Sequence, residues 1–281
     1  NVLTSIDEVI AKNIDYCVIA APTAFHEEIS LKMIDSGIHV LIEKPIAHNL
    51  ESALRIENAA RKKGIVGAVG HIERFNAALQ QARTRIQAGD LGDIYQISTR
   101  RLGPFPSRIG DVGVIMDLAT HDIDLTAWIS DSSYKSVSAQ SAIRSGRRYE
   151  DLVSIVAQMN NGIVVNHLVN WLSPLKERKT IITGEKGTYI IDTLTSDLTF
   201  YANGTVNVSQ DRIAYFKGVS QGDIHIFAFE KPEPLRREHE NFRDAILGKG
   251  ASIVTLTEGA KTVSVADAAL ASIRDQITVN L

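Results

Sequence analysis

Between Tyr16 and His71 the sequence alternates short, continuously apolar runs with amphipathic stretches. No other feature limits the fold as much. The runs YCVIAAP, HVLIEKP and IVGAVGH are too short for buried helices and lack polar–apolar alternation, so each reads as a strand covered on both faces. HEEISLKMIDSG carries a helical pattern that Gly37 stops. Asn49 reads as the cap of a further helix, with Ala53, Ile56 and Ala60 on one face and Gly64 as its end. The stretch SIDEVIAK, ahead of the first run, is also helix-like. Alternating strands and helices predict a parallel sheet with right-handed crossovers. A nucleotide-binding sheet of this class opens with a strand, a Gly-rich turn and a helix. This sequence contains no G-x-G-x-x-G. The expectation is therefore a partial doubly wound domain. At about 30 residues per βαβ unit, roughly 50–60 residues would precede it.

After His71 the texture changes. NAALQQARTRIQAGDLG forms an amphipathic pattern with Leu79, Ala82 and Ile86 on one side, and IYQISTRRLG reads as a strand. From Asp151 to about Ser209 the pattern is a meander. Asn161-Gly162 supplies a hairpin signal, and Gly184, Gly187 and Asn203-Gly204 are expected at turns. Two helical patterns, near Arg236–Leu247 and Thr257–Ile273, close the chain. The predicted fold class is α/β followed by α+β: a partial Rossmann domain over 1–71, then a domain over 72–281 built on an open, mostly antiparallel sheet.

Composition narrows the partners. A net charge of −3 over 281 residues argues against nucleic acid, whose binders carry a basic excess. No apolar run reaches the roughly 20 residues needed to cross a bilayer, and no signal-peptide pattern opens the sequence. Cys17 is the one cysteine, so no internal disulfide is expected. It reads as a buried, inert thiol in a cytoplasmic protein.

Several residues are candidates for chemistry. Lys44, in Leu-Ile-Glu43-Lys44-Pro45, sits at the carboxyl end of a predicted strand, where open parallel sheets bind ligands. It either points an ammonium into the crevice or forms a surface pair with Glu43. The turn Ala21-Pro22-Thr23, together with His71 and Arg74, lies on the same predicted rim. His26 opens a helix, with its ring either in the crevice or at the helix start. In Asp117-Leu-Ala-Thr-His121-Asp-Ile-Asp124, helical spacing places Asp117, His121 and Asp124 on one face. An acid one turn from an imidazole suits general-base chemistry. The same spacing also suits a solvated helix face, or a zinc pair for which no third ligand is evident. Arg100, Arg101 and Arg108, among glycine and prolines, suit phosphate recognition, or are scattered surface arginines. Trp171 with Lys176 and Arg178 can line a sugar or nucleotide pocket, or Trp171 is simply packed.

Taken together and in this order, Ala-Pro-Thr with His26, Glu-Lys-Pro, Gly-His-x-x-Arg-Phe-Asn and Asp-x-x-x-His-Asp-Ile-Asp resemble the glucose–fructose oxidoreductase / inositol dehydrogenase family, across nearly the whole chain. The resemblance implies an NAD(P)-dependent oxidoreductase with a Rossmann domain and an open-sheet domain whose exposed face pairs subunits into homodimers or homotetramers. It implies Lys44 as the catalytic lysine and Asp117 and His121 as the acid–imidazole pair. It further implies cofactor contacts from Ala21, Pro22, Thr23, His26, Glu43, Lys44 and His71, with NAD the expected cofactor and NADP open. GPFPSRIGDVGVIMDLATHDID and NWLSPLKERKTIITGEKG resemble the branch acting on UDP-activated amino sugars. This implies hydride transfer from a sugar hydroxyl, at C3 of a UDP-N-acetylhexosamine. His121, held by Asp117, would accept the proton, while Lys44 hydrogen-bonds the same oxygen. Arg101 and Arg108, with Arg100, and also Trp171, Lys176 and Arg178, would bind substrate, and no metal is implied. The competing classes are a non-catalytic nucleotide sensor and an inactive fragment. A complete Lys/Asp/His set is of use only to the enzyme.

Overall fold

The computed structural model describes residues 2–106, 109–204 and 220–281. Its first unit begins with a short helix α1 (Ile6–Ile10), whose Glu8 N–H donates to the Ser5 hydroxyl at 3.2 Å. Strand β1 (Tyr16–Ile19), helix α2 (His26–Asp35), β2 (His39–Glu43), α3 (Leu50–Lys63) and β3 (Gly67–Gly70) follow. The three strands are parallel in the order β1-β2-β3, with Val18 opposite Leu41 and Ile42 opposite Val69. Helix α3 has the predicted limits. Asn49 accepts from the Ser52 N–H at 2.9 Å, Ala53, Ile56 and Ala60 are buried, and Gly64 closes it at φ +66°.

Strand β1 departs from expectation. It is the edge of its sheet, and Tyr16 is 43% exposed despite the apolar sequence. The Tyr16 ring meets the edge of Phe242, at 5.7 Å. Cys17 is half-buried, and burial pushes its thiol pKa up, as an inert thiol requires.

A 3₁₀ turn (Ile72–Phe75) leads into α4 (Ala77–Gln87) and β4 (Ile94–Pro104). A π-helical turn (Ile115–Ala119) then runs into α5 (Thr120–Ser130). Strands β5 (Tyr134–Ala142), β6 (Leu152–Met159), β7 (Val164–Asn170), β8 (Leu172–Gly184), β9 (Gly187–Asp192), β10 (Asp197–Gly204) and β11 (Ser220–Ile226) build the large sheet. Helices α6 (Pro234–Ile246) and α7 (Leu256–Asp275) and the short β12 (Val279–Asn280) end the chain. The sheet order is β11-β10-β9-β8-β4-β7-β6-β5-β12, antiparallel except where β4 runs parallel to β7. The meander is thus interrupted: β7 and β8 are consecutive in sequence, but β4 lies between them. Gly162 turns the β6–β7 hairpin at φ +89°. Asn203 and Gly204, expected in a turn, instead lie in β10 opposite Gln221 and Ser220. The expected meander from 205 to Ser209 falls outside the described residues.

The period of two sorts the large sheet into faces. Ile97, Thr99 and Arg101 of β4, Val153 and Ile155 of β6, and Val165 and Val169 of β7 are buried on the inner face, which α5 and α7 cover. Helix α7 starts with a capping box between Thr255 and Glu258 and packs against both α3 and β5. Just before it, the Val254 carbonyl accepts from the Val69 N–H at 2.9 Å. Phe242 of α6 packs on Leu41 and Ala68. The closing helices therefore tie the two sheets together. Among the described residues no helix is long and apolar enough to cross a membrane.

Candidate active site

Lys44 leaves β2 through a cis peptide to Pro45. The buried His26 ring bridges this exit to the turn after β1: Nδ1 lies 2.9 Å from the Pro45 carbonyl oxygen and Nε2 lies 2.8 Å from that of Ala21. The Lys44 ammonium donates to the Asp117 carboxylate at 2.9 Å and to the Asp117 carbonyl at 2.6 Å. Glu43 is not its partner. The Glu43 carboxylate lies over Gly70, where an added Cβ would be 3.1 Å from Oε2, so glycine on β3 makes room for it.

Asp117 lies in the π turn, where the Thr120 N–H reaches back to the Ile115 carbonyl. The wider turn changes the helical phase, so Asp117 does not stack under His121 as α-helical spacing predicts. This corrects the expected Asp117–His121 hydrogen bond: Asp117 holds Lys44, and His121 Nδ1 is enclosed without a partner among the described residues. The other two aspartates of the motif are also taken. Asp122 receives Arg101 at 3.0–3.1 Å, and Arg101 also donates to Glu73 at 2.7 Å. Asp124 receives Arg74 at 2.6 and 2.7 Å, and Arg74 also donates to Glu258 at 2.6 Å. Three carboxylates on one helical segment thus each fix a cation from a different element.

His71, at the carboxyl end of β3, completes the cluster. Its ring meets that of His121 edge to face, with centroids 6.4 Å apart. Burial lowers the His71 pKa to about 4, opposed by Asp124 and assisted by Arg74 and Lys44. His121 is pushed well below its ordinary value by burial, then by Lys44, Arg101, His71 and Arg178. Both imidazoles are therefore neutral at neutral pH.

The structure reassigns several expected ligand groups. Arg101 is 4% exposed and its guanidinium is paired with Asp122 and Glu73, so its charge is already balanced by carboxylates rather than presented to a diphosphate. Arg100 points to the opposite sheet face and pairs with Glu177 at 3.2 Å. Trp171 is buried edge to face against Phe105 at 5.1 Å and is a core residue, not a platform. His26 has both ring nitrogens directed at backbone carbonyls; its ring braces the rim from within. Arg108 lies outside the described residues. Arg178 pairs across β4–β8 with Arg101 and so faces the side of α5. Its Nη1 donates to the Leu102 and Glu177 carbonyls. Burial lowers its pKa, then Arg101 does, against Asp122, Glu73 and Asp117, which raise it. Lys176, two residues earlier on the same face, is exposed. Sequence reasoning missed Glu73, Asp122 and Glu258 as anchors. The only local hint was the Glu73-Arg74 pair of opposite charges inside the Gly-His-x-x-Arg motif.

The carboxyl ends of β1, β2 and β3 bring Ala21–Thr23, Glu43–Lys44 and His71 to one rim, the place where a doubly wound sheet holds its ligand. Two enclosed polar atoms near this rim, His71 Nδ1 and Glu238 Oε1, lack a partner among the described residues, and Glu238 is close enough to Glu43 for the two carboxyls to repel. Unfilled hydrogen-bonding capacity beside a neutral imidazole and a fixed ammonium fits the nicotinamide half of a dinucleotide. Among the described residues no group of three or more His, Cys, Asp or Glu is placed to hold a metal.

Comparison with known proteins agrees with this architecture. The profile described as "Oxidoreductase family, NAD-binding Rossmann fold" matches residues 1–71, and that of the GFO/IDH/MocA C-terminal domain matches residues 79–190. UDP-N-acetylglucosamine 3-dehydrogenase of Acidithiobacillus ferrooxidans is 30% identical over 242 residues, 86% of this chain and 73% of that protein. The scyllo-inositol 2-dehydrogenase (NAD(+)) of Bacillus subtilis is 24% identical over 278 residues, 95% of this chain and 78% of that protein. A solved structure of the Acidithiobacillus enzyme matches with a TM-score of 0.83 at 27% identity, covering 97% of this chain and 83% of that one.

Proposed function

This chain belongs to the GFO/IDH/MocA family of NAD-dependent oxidoreductases, and from that footing we propose that it removes hydride from C3 of a UDP-N-acetylhexosamine. The carrying observation is the Lys44 ammonium anchored at 2.9 Å on Asp117, with the His121 imidazole near enough for that charge to help hold it neutral and packed edge to face on His71 at the end of β3. The dinucleotide supplies the hydride acceptor. His121 takes the hydroxyl proton on Nε2, since Nδ1 is the enclosed nitrogen. Lys44 hydrogen-bonds the same oxygen and stabilises the negative charge that develops on it. Asp117 fixes the direction of Lys44, a positioning role.

The nucleotide part of the proposal rests on Arg178. The carboxylates nearest to it are committed to other cations, Asp117 to Lys44 and Asp122 and Glu73 to Arg101. A diphosphate would supply the missing countercharge, with the exposed Lys176 at its outer end. The 30% identity to an enzyme named for a UDP-sugar points the same way.

The outer face of the large sheet supports assembly into a homodimer or homotetramer. Val156 is 52% exposed there, with Val164 also exposed and Leu168, Ile181 and Ile190 half-covered among small polar residues. Such a face is wide, flat and partly apolar.

The test is NADH formation with UDP-N-acetylglucosamine and with scyllo-inositol, with the oxidised carbon located by NMR. The expected result is a rate at least tenfold higher for the nucleotide sugar and a ketone at C3. Equal rates, or a ketone elsewhere, would overturn the proposal.

A further inference from the structure

We propose that a cleft beyond Arg178, at the exit of β4, receives the uracil ring of the nucleotide and reads it through the N–H groups of Trp171 and Arg147. The inference rests on the nucleotide-sugar reading above and deepens it to the base.

Strand β4 leads from the diphosphate cations to this cleft. Arg178 donates to the Leu102 carbonyl at 2.6 Å, and a Cβ added to Gly103 would lie 3.7 Å from Lys176 Cγ and 3.9 Å from Arg178 Nη1. Pro104, opposite Leu172, ends the strand, and Phe105 follows. At about 3.3 Å per residue, Phe105 stands roughly 7 Å beyond Gly103, a span that one ribose bridges between phosphate and base. Phe105, Arg147, Arg148, Tyr149 and Trp171 wall a cleft of about 280 Å³ there. That is small for a whole ligand and suits a single ring.

The loop between β5 and β6, which carries Arg147 and Tyr149, is fastened at both ends. The buried Asp151 carboxylate accepts from the Arg144 N–H at 2.9 Å and the Ser145 N–H at 2.7 Å. The Asp151 carbonyl accepts from the Trp171 backbone N–H at 2.9 Å. Next to it, the Glu150 carboxylate accepts from the Ile115 N–H at 3.1 Å, at the start of the π turn that holds Asp117. The cleft is therefore tied both to Trp171 and to the segment that anchors Lys44.

Its chemistry asks for acceptors. Trp171 Nε1 and Arg147 Nη1 are both enclosed and lack a partner among the described residues. Both groups only donate, and a buried donor left unpaired costs free energy. Among the described residues no carboxylate or amide side chain lines the cleft. Uracil brings two carbonyl oxygens, cytosine brings one and adenine none. Stacking surface is also present. The Arg147 guanidinium lies over the Phe105 ring, and that of Arg148 lies 5.4 Å from the Tyr149 centroid. Bases stack on aromatic faces and on guanidinium planes alike. Trp171 stays packed on Phe105 and acts through its N–H edge.

The test is titration calorimetry of the full chain with UDP, CDP, ADP and inorganic pyrophosphate. UDP should bind about tenfold more tightly than CDP or ADP, since each of these leaves a donor unpaired. Trp171→Phe keeps the ring and loses the N–H; it should weaken UDP roughly three- to tenfold. Arg147→Gln, on the half-buried loop, should weaken UDP about tenfold and decides the matter if Trp171→Phe fails to fold. Neither variant should change pyrophosphate affinity, whereas Arg178→Gln should weaken UDP and pyrophosphate together. Equal binding of the three nucleotides, UDP bound no better than pyrophosphate, or unchanged UDP affinity in Arg147→Gln would overturn the inference. Turnover of UDP-N-acetylglucosamine with base-blind binding would overturn it alone. Base-selective binding without NADH formation would overturn the dehydrogenase proposal and leave this one standing.

Discussion

The ammonium of Lys44 lies 2.9 Å from the Asp117 carboxylate and 2.6 Å from the Asp117 carbonyl oxygen, across 73 residues of sequence. This pair joins the exit of the small parallel sheet to the helical segment under the large mixed sheet. Two acceptors on one residue fix the direction of a side chain that is otherwise flexible. The ammonium is thereby aimed before substrate arrives, which is the condition for electrostatic catalysis without reorganisation.

Lys44→Ala and His121→Ala are each expected to lower single-turnover NADH formation by a factor on the order of 10² or more. Asp117→Asn should lower it by roughly tenfold or more, since the amide keeps the shape but loses the charge that anchors Lys44. Near-native rates in the first two variants would remove both residues from the chemistry.

Breaking the buried Arg74–Asp124 pair tests what holds the units together. Both side chains are nearly inaccessible, so Arg74→Met leaves an uncompensated carboxylate. Urea denaturation should show a loss of about 3–5 kcal/mol. Adding Asp124→Leu should restore much of it, because the fully buried carboxylate is then gone and the Glu258 carboxylate that remains is partly exposed and still accepts from the Thr255 N–H. A double variant as unstable as the single one would show that shape, not charge, is what the pair contributes.

The readable parts of the sequence were those with a local cause. Asn49 and Gly64 bracket α3 because a cap and a left-handed stop act within a turn of the helix. Lys44 was placed on the rim because a strand's end is local too. What pairs at a distance left no such mark. The insertion of β4 between β7 and β8 is a choice among partners that short-range pattern does not encode. Arg101, beside glycine and proline, looked free, yet its carboxylates come from positions 21 and 28 residues away. Asp117 and His121 have ideal α-helical spacing, and one π turn removes its consequence. The Trp171 position was ambiguous because an aromatic at a strand end packs or binds with the same sequence signature.

Stability should fall on both sides of neutrality. His71 and His167 have folded pKa values lowered by burial to about 4, against an unfolded value of about 6.5. Between those values the unfolded chain binds more protons, so stability rises with pH, and acidification from 7 to 4 costs about 3 kcal/mol for each ring. Glu238 has the opposite sign. Burial, then Glu43, raises it to about 8. The folded state therefore holds an extra proton between the unfolded carboxyl value, near 4.3, and 8, and stability falls as pH rises through that window. Thermal melts from pH 5 to 9 should show both arms. Glu238→Gln should flatten the alkaline one, and an unchanged alkaline arm would assign that loss to another group.

Assembly through the outer sheet face predicts sensitivity at Val156 and Val164, which lie on adjacent strands there. The Val156→Lys/Val164→Lys double variant should halve the mass in light scattering while leaving the melting temperature of the protomer nearly unchanged, because both side chains are already exposed. An unaltered mass would place the interface elsewhere.

Arg178 separates substrate binding from chemistry. It is partly desolvated, its pKa is lowered by burial and by Arg101, and its neighbouring carboxylates are spent on other cations. A charge-assisted hydrogen bond to phosphate contributes about 1.5–3 kcal/mol, which corresponds to roughly 10- to 150-fold in affinity. Arg178→Gln should therefore raise KM for UDP-N-acetylglucosamine by tenfold or more and weaken inhibition by UDP in parallel, with kcat within about threefold of the native value. Lys176→Gln should show a smaller change in the same direction, as an exposed cation is screened by solvent and salt. A fall in kcat at unchanged KM would move Arg178 from the diphosphate to the reacting carbon and leave the nucleotide without its anchor.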